Sequence, residues 1–319
     1  MIVTDFTKEH IPQAQLLARK NYEEERSNIR QLPPFVVLPD LTELEGNHLG
    51  VAAFESDRMI GYMCCYNVFD NAFGTTDTKG VWSAVHMHAA SGNLQQVYDL
   101  MYQAAAKKWV AAGALSHGIT FYTHDEIPIQ CLFRRGFGMR CIDAVKLIES
   151  HTLKLPTTLN ICEIEASKAD RVLTLKNALI EHLSDTPCFM KYPLLNGADV
   201  IAKVVARNSR IFILCSDNQI VAFLEITSSG ESFVTETDSF MNICGGYLIP
   251  QLRGRGMFDL LLEYCENQLY KEGYEYLGVD FESLNPAAYG FWLKHFKPYT
   301  YSLVRRIDES TIKLSHPII

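Results

Sequence analysis

The chain has no apolar run approaching the roughly 18 residues that a membrane-spanning helix needs. Its first residues, Met1-Ile2-Val3-Thr4-Asp5, lack the basic start of a signal peptide. A cytoplasmic protein with no membrane partner is therefore expected. Cysteine shows no pairing pattern: there are nine, an odd number, with no C-x-x-C. Reduced, mostly buried thiols fit this better than a disulfide framework. Positive charge is in deficit, with 29 Lys and Arg against 37 Asp and Glu for a net charge of −8. That balance argues against a nucleic-acid partner and leans toward a basic substrate. Two common phosphate-loop signatures, G-x-x-x-x-G-K-[ST] and G-x-G-x-x-G, are also missing.

What is present is a repeat. At 319 residues the chain exceeds the usual single domain. Ser56-Asp57 and Ile60 return as Ser216-Asp217 and Ile220, a spacing of 160 that also relates Gly113 to Gly273 and Phe121 to Phe281. In each copy an apolar strand pair turns at Ser-Asp, then come a third strand, a long helix, another strand and a short helix. Strand–helix–strand alternation implies parallel pairing, hence an α/β fold. Val97, Leu100, Met101, Ala105 and Trp109 in one long helix stand where Met257, Leu260, Leu261, Cys265 and Leu269 stand in the other, a buried face in both. The seam is the polar, proline-broken stretch from Glu149 to Thr158, which places one domain at 1–150 and the other at 158–319.

The second copy carries Gln251-Leu252-Arg253-Gly254-Arg255-Gly256 between an apolar strand and an amphipathic helix that opens near Met257. Glycine lets backbone approach an anion closely, and the unsatisfied N–H groups and dipole of the following helix favour its charge. Arg253 and Arg255 are suited to the rim of such a site. The pattern Q-x-x-G-x-G resembles the acetyl-CoA signature of the GCN5-related N-acetyltransferase (GNAT) family. The order of elements agrees: strand Ile243–Ile249, helix Met257–Tyr270, strand Tyr276–Glu282, then Asn285 opening a further helix. The whole chain is similar to tandem members of that family, which implies two GNAT-like domains, each a mixed central sheet flanked by helices.

The resemblance implies an acetyl-CoA co-substrate. Gln251, Arg253, Gly254, Arg255, Gly256 and Met257 would surround its pyrophosphate. N–H groups at Gly246, Tyr247 and Leu248 would meet the acetyl carbonyl and pantetheine, with Asn285 nearby. In the first copy Ser91, Asn93, Leu94 and Gln96 replace Gln251, Arg253, Gly254 and Gly256. That copy is expected to have lost the cradle and to complete the core or wall the substrate cleft. Its His86-Met87-His88, with His117 and His124, has the spacing of a zinc pair on a strand. No third ligand is evident, so wall or core histidines are expected and no metal.

Where the family has a tyrosine as general acid this chain has Trp292, which donates a hydrogen bond but holds its proton near neutrality. Tyr289, three residues earlier, is the candidate replacement, with Tyr299 and Tyr301 as chemical equivalents. For the base, Glu282 near the C-terminal end of its strand is preferred, with Glu225 as the alternative. The resemblance therefore implies transfer of an acetyl group to a small-molecule amine by the second domain. A non-catalytic acyl-CoA-binding module, or transfer of another acyl group or to a hydroxyl, stays open. Neither the acceptor nor the oligomeric state is written in the sequence.

Overall fold

The computed structural model describes residues 1–74, 77–185 and 187–313. Two compact units form, the first from Met1–Arg30, Val37–Ile142 and Pro298–Ile319, the second from Gln31–Val36 and Asp143–Lys297. The last six residues of the domain expected at 158–319 lie outside the described residues. No described helix is long and apolar enough to cross a membrane.

In the first unit, strands β1 (Ile2–Asp5), β2 (Val51–Glu55), β3 (Arg58–Met63) and β5 (His88–Ala90) form an antiparallel sheet in the order β1-β2-β3-β5. Strand β4 (Gly80–Ser83) runs parallel to β6 (Ser116–Tyr122). Helix α1 (Ile11–Asn28) and the short α2 (Thr42–Glu45) precede β2; α3 (Leu94–Ala111) and α4 (Glu126–Phe133) flank β6. As the spacing predicts, α3 buries Val97, Met101, Ala105 and Trp109, while Leu100 stays half-buried. Strand β7 (Gly138–Leu147) contains the boundary between the units at Ile142.

The second unit begins with β8 (Leu159–Ile164), α5 (Leu173–Asp185) and α6 (Gly197–Arg207). Strands β9 (Arg210–Ser216) and β10 (Gln219–Thr227) follow, joined through Asp217 and Asn218, both at positive φ (49° and 66°). That is the tight turn whose twist matches the strands it joins. Then come β11 (Phe240–Leu248), α7 (Met257–Glu272), β12 (Tyr276–Glu282) and α8 (Pro286–His295), with sheet order β12-β11-β10-β9-β8. Helix α7 buries Leu261, Cys265 and Leu269; Met257 and Leu260 are half-buried.

The chain's last strand, β13 (Lys297–Arg306), lies antiparallel to β6, with Thr300 opposite Tyr122 and Arg306 opposite Ser116. The compact units therefore differ from the sequential division at 150 and 158: residues 143–150 go with the second unit and 298 onward with the first. A polar, proline-broken stretch marks where a chain can be exposed. It carries no information about which sheet a later strand joins.

Candidate functional site

The site is built at the start of α7. Gly254 and Gly256 both hold φ +73°, and a Cβ added at either meets nothing within 4 Å among the described residues. Gly256 is the N-cap of α7 and supplies no side-chain cap. The first intrahelical bond of α7 runs from the Leu260 N–H to the Gly256 carbonyl, 3.2 Å. The N–H groups of Met257, Phe258 and Asp259 thus precede the ladder, at the end where the dipole is positive. The equivalent helix in the first unit is closed. There Asn93 is the N-cap and its side chain accepts from the Gln96 N–H at 3.3 Å. The same frame thus has one long helix with a side-chain cap and one without.

Beside the loop the sheet splits. The parallel pairing of β11 with β12 joins Phe240–Ile243 to Tyr276–Val279 and goes no further, although both strands continue. On its other edge β11 keeps pairing with β10 as far as Leu248, with a register shift that leaves Cys244 as a bulge. Gly246 is required by packing, since a Cβ there would come within 2.9 Å of Phe258 Cζ. A cavity of about 510 Å³ opens between these elements, lined by Gly246, Tyr247, Leu248, Gly254, Gly256 and Met257 and also by Asn285 and Trp292. Its size is that of a small-molecule site.

Several side chains depart from their expected places. The Arg253 guanidinium lies 5.2 Å over the Tyr247 ring and its Nε donates to the Leu248 carbonyl at 3.1 Å, so it braces the loop instead of standing clear at the rim. Arg255 and Gln251 are exposed. Asp259 also lines the cavity, where a carboxylate would repel phosphate, but Lys294 contacts it at 2.7 Å and His295 at 3.1 Å. Burial opposes its ionisation, and those two partners outweigh burial, holding its carboxyl below the ordinary value.

Residues 177–296 match the family model described as "Acetyltransferase (GNAT) family". That segment is a GNAT-family domain. Its fold is similar to that of a GCN5-related N-acetyltransferase from Sphaerobacter thermophilus, at 10% identity and TM-score 0.58, covering 96% of this chain and 95% of that one. It is also similar to a GCN5-related glucosamine N-acetyltransferase region in a fungal multi-domain GH3 β-N-acetylglucosaminidase, at 12% identity and TM-score 0.52, covering 95% of this chain and 38% of that one. At such identities the likeness establishes the two-domain GNAT fold and no more. A search of curated proteins finds no match.

Within that GNAT frame, Asn285 caps α8, its side chain accepting from the Ala288 N–H at 3.3 Å. Trp292 is only 7% exposed and packs edge-on against Phe258, Phe291 and Phe296. Tyr289 points elsewhere. It is 45% exposed, contacts Phe281 edge-on at 6.4 Å and lies outside the cavity lining. Glu225 is buried and both its oxygens are engaged, one by Lys176 and the other by the Ser209 hydroxyl at 2.6 Å. Glu282 is half-buried at the end of β12. Two residues before it, Asp280 keeps solvent access but is recessed, so burial, then Glu231 and Asp143, push its carboxyl well above the ordinary range.

His182 is among the cavity residues that escaped the sequence reading. It lies on α5 one turn from Leu179, with Nε2 3.4 Å from Asn285 Oδ1 and its ring edge-on to Tyr247. Nothing local marks it, because a lone histidine on a helix has many ordinary explanations.

The histidines of the first unit are each accounted for separately. His88 contacts the Tyr98 hydroxyl at 3.0 Å and the Thr120 carbonyl at 2.7 Å; His117 contacts Tyr102 at 3.1 Å and the Ala114 carbonyl at 3.1 Å. Burial pushes His86, His88 and His117 each down to about 4, so all three are neutral at physiological pH. His124 belongs to a different group, in which the buried Glu25 accepts from His124 Nδ1 at 2.7 Å and from the Thr123 hydroxyl at 2.6 Å.

Proposed function

We propose that this protein is an acetyl-CoA-dependent N-acetyltransferase that acts on a small-molecule amine, with the second unit catalytic. The observation that carries this reading is the contrast between the two long helices, α7 open behind Gly254 and Gly256 and α3 stoppered by Asn93. The N–H groups from Met257 onward would hold the pyrophosphate, with Gln251 and Arg255 at its edge and Arg253 bracing the loop. Gly246, Tyr247 and Leu248, on the part of β11 beyond its pairing with β12, would present N–H groups to the acetyl carbonyl. Glu282 lies at the end of β12, half-buried, and a carboxylate there suits an acceptor that arrives as an ammonium ion. Glu282 is better placed than Glu225 to meet that ammonium ion, since Glu225 is held by Lys176 and Ser209. Tyr289, one turn before Trp292, is the proposed donor to the leaving thiolate.

The test is titration of CoA by calorimetry, followed by thiol release from acetyl-CoA over a panel of polyamines, aminoglycosides and amino acids. One site and amine-dependent thiol release are expected. The placement of Trp292 and the outward Tyr289 favours one alternative, a binding module that recognises acyl-CoA without turnover. It would show the same single site and release no thiol with any amine.

A further inference from the structure

The cavity contains an imidazole whose tautomer is dictated by its neighbour. Asn285 Oδ1 accepts the Ala288 N–H at 3.3 Å, which fixes the carbonyl end of that amide, since an NH₂ cannot accept. His182 Nε2 faces this same oxygen at 3.4 Å, so in the neutral ring Nε2 carries the hydrogen and donates it. The remaining nitrogen, Nδ1, then holds a lone pair. Imidazole is the side chain that exchanges a proton near neutrality. The ring is half-buried, lines the cavity with Gly246, Tyr247 and Leu248, and is steadied edge-on by Tyr247.

We infer that His182 is the base that takes the proton from the acceptor amine, an inference that rests on the acetyltransferase reading above. An acceptor that arrives as an ammonium ion first loses one proton to solvent. The neutral amine nitrogen then bonds to the acetyl carbonyl carbon as the carbonyl π pair moves onto oxygen, and Nδ1 accepts the nitrogen's extra proton, giving an imidazolium. The carbon–sulfur bond then breaks, and its electron pair leaves with the CoA sulfur as thiolate. The carbonyl re-forms as the thiolate leaves, and the thiolate takes a proton from Tyr289, which solvent reprotonates. The imidazolium returns its proton to solvent, so acetyl-CoA and the neutral amine become amide and CoA. Asn285 is the positioning residue: it keeps Nδ1 unprotonated and pointed away from the N-cap.

A purely architectural role for His182 makes a different prediction. In the first unit the same helix-to-cap link exists without imidazole, since Asn21 Nδ2 on α1 donates to Oδ2 of Asp125, the N-cap of α4, at 3.2 Å. An amide side chain can therefore make this tie. His182→Gln keeps a donor for Asn285 and removes the base. Expected results are a kcat for amine-dependent thiol release lowered roughly 10²-fold, with the acetyl-CoA KM little changed and the acid limb of the pH profile lost. Added imidazole should restore part of the rate in His182→Ala. Nitrogen–proton correlation spectra of the wild-type protein should show the neutral ring protonated at Nε2. Wild-type turnover that survives His182→Gln, or a ring protonated at Nδ1, overturns this inference alone. A wild-type protein that binds CoA but releases no thiol with any amine overturns the acetyltransferase reading and this inference with it.

Discussion

Replacing Gly254 by leucine separates the cost of the loop's backbone from the cost of blocking the cavity. Gly254 sits at φ +73°, where an L-residue pays about 1–2 kcal/mol. Its added Cβ meets nothing within 4 Å among the described residues, so no packing clash adds to that figure. In a folding unit of this size 1 kcal/mol corresponds to roughly 2–4 °C in Tm, and a loss of a few degrees is expected. The side chain also projects into the space proposed for the pyrophosphate, and there the Kd for CoA should rise at least about tenfold, or about 1.4 kcal/mol. Gly273 supplies the control. It has φ +88°, equally empty surroundings, and lies at the far end of the 16-residue helix α7, about 24 Å away at 1.5 Å per residue. Gly273→Ala should lower Tm by a similar amount and leave CoA affinity alone. Calorimetry and thermal melts on both variants decide the matter. Equal loss of affinity in the two, or two equal CoA sites in the wild type, would refute the reasoning.

Three further outcomes are expected. Tyr289→Phe should lower kcat roughly 10²-fold with little change in acetyl-CoA KM, while Trp292→Phe keeps the upper pH limb; single-turnover thiol release checks both, and a wild-type rate in Tyr289→Phe leaves the thiolate departing unassisted. Lys146 Nζ lies 2.6 Å from the buried Glu266 carboxylate, a close ion pair whose alignment falls short of a hydrogen bond, with His151 Nε2 at 3.2 Å. Lys146→Met should cost about 3 kcal/mol in urea unfolding, because it strands a buried charge that His151 only partly offsets. Burial raises Asp125 to about 6 from 3.8, and His124 is raised too, since Glu25 and Asp125 outweigh its own desolvation. Asp125 therefore makes the folded chain bind more protons than the unfolded one between about pH 4 and about 6, so its stabilisation is full below that window and is lost as pH rises through it, and His124 continues the loss above its ordinary 6.5. Asp125→Asn should flatten the pH 4–6 part of that slope, worth at most about 3 kcal/mol.

The elements of the second unit were legible because their signals are local. Gly254 and Gly256 require positive φ, Asn285 announces a helix start, and the apolar spacing of Leu261, Cys265 and Leu269 announces a buried face. Strand alternation likewise placed Leu277, Val279 and Phe281 inside and Asp280 outside. What stayed hidden depends on partners distant in the chain. Nothing around Pro298 says that β13 pairs with β6, and nothing around Glu225 says that Lys176, 49 positions away, will take one of its oxygens. Arg253 lines the cavity, but its direction was equally hidden, because the Tyr247 ring and the Leu248 carbonyl set it.

The two copies differ by little at the point where the proposed anion site begins. Both begin their long helix after a positive-φ glycine, Gly256 at +73° and Gly92 at +83°. In the second copy that glycine is itself the cap and offers no side chain to the first N–H groups of the helix. In the first copy one more residue, Asn93, intervenes and folds its carbonyl oxygen onto the Gln96 N–H. An N-cap of this kind stabilises a helix by about 1 kcal/mol, and the same hydrogen bond takes the place an anion's oxygen would occupy. Stability of the isolated helix and capacity for the ligand are thus alternatives at one position. The first half has the capped helix, and the proposed site lies where the second half leaves the cap out.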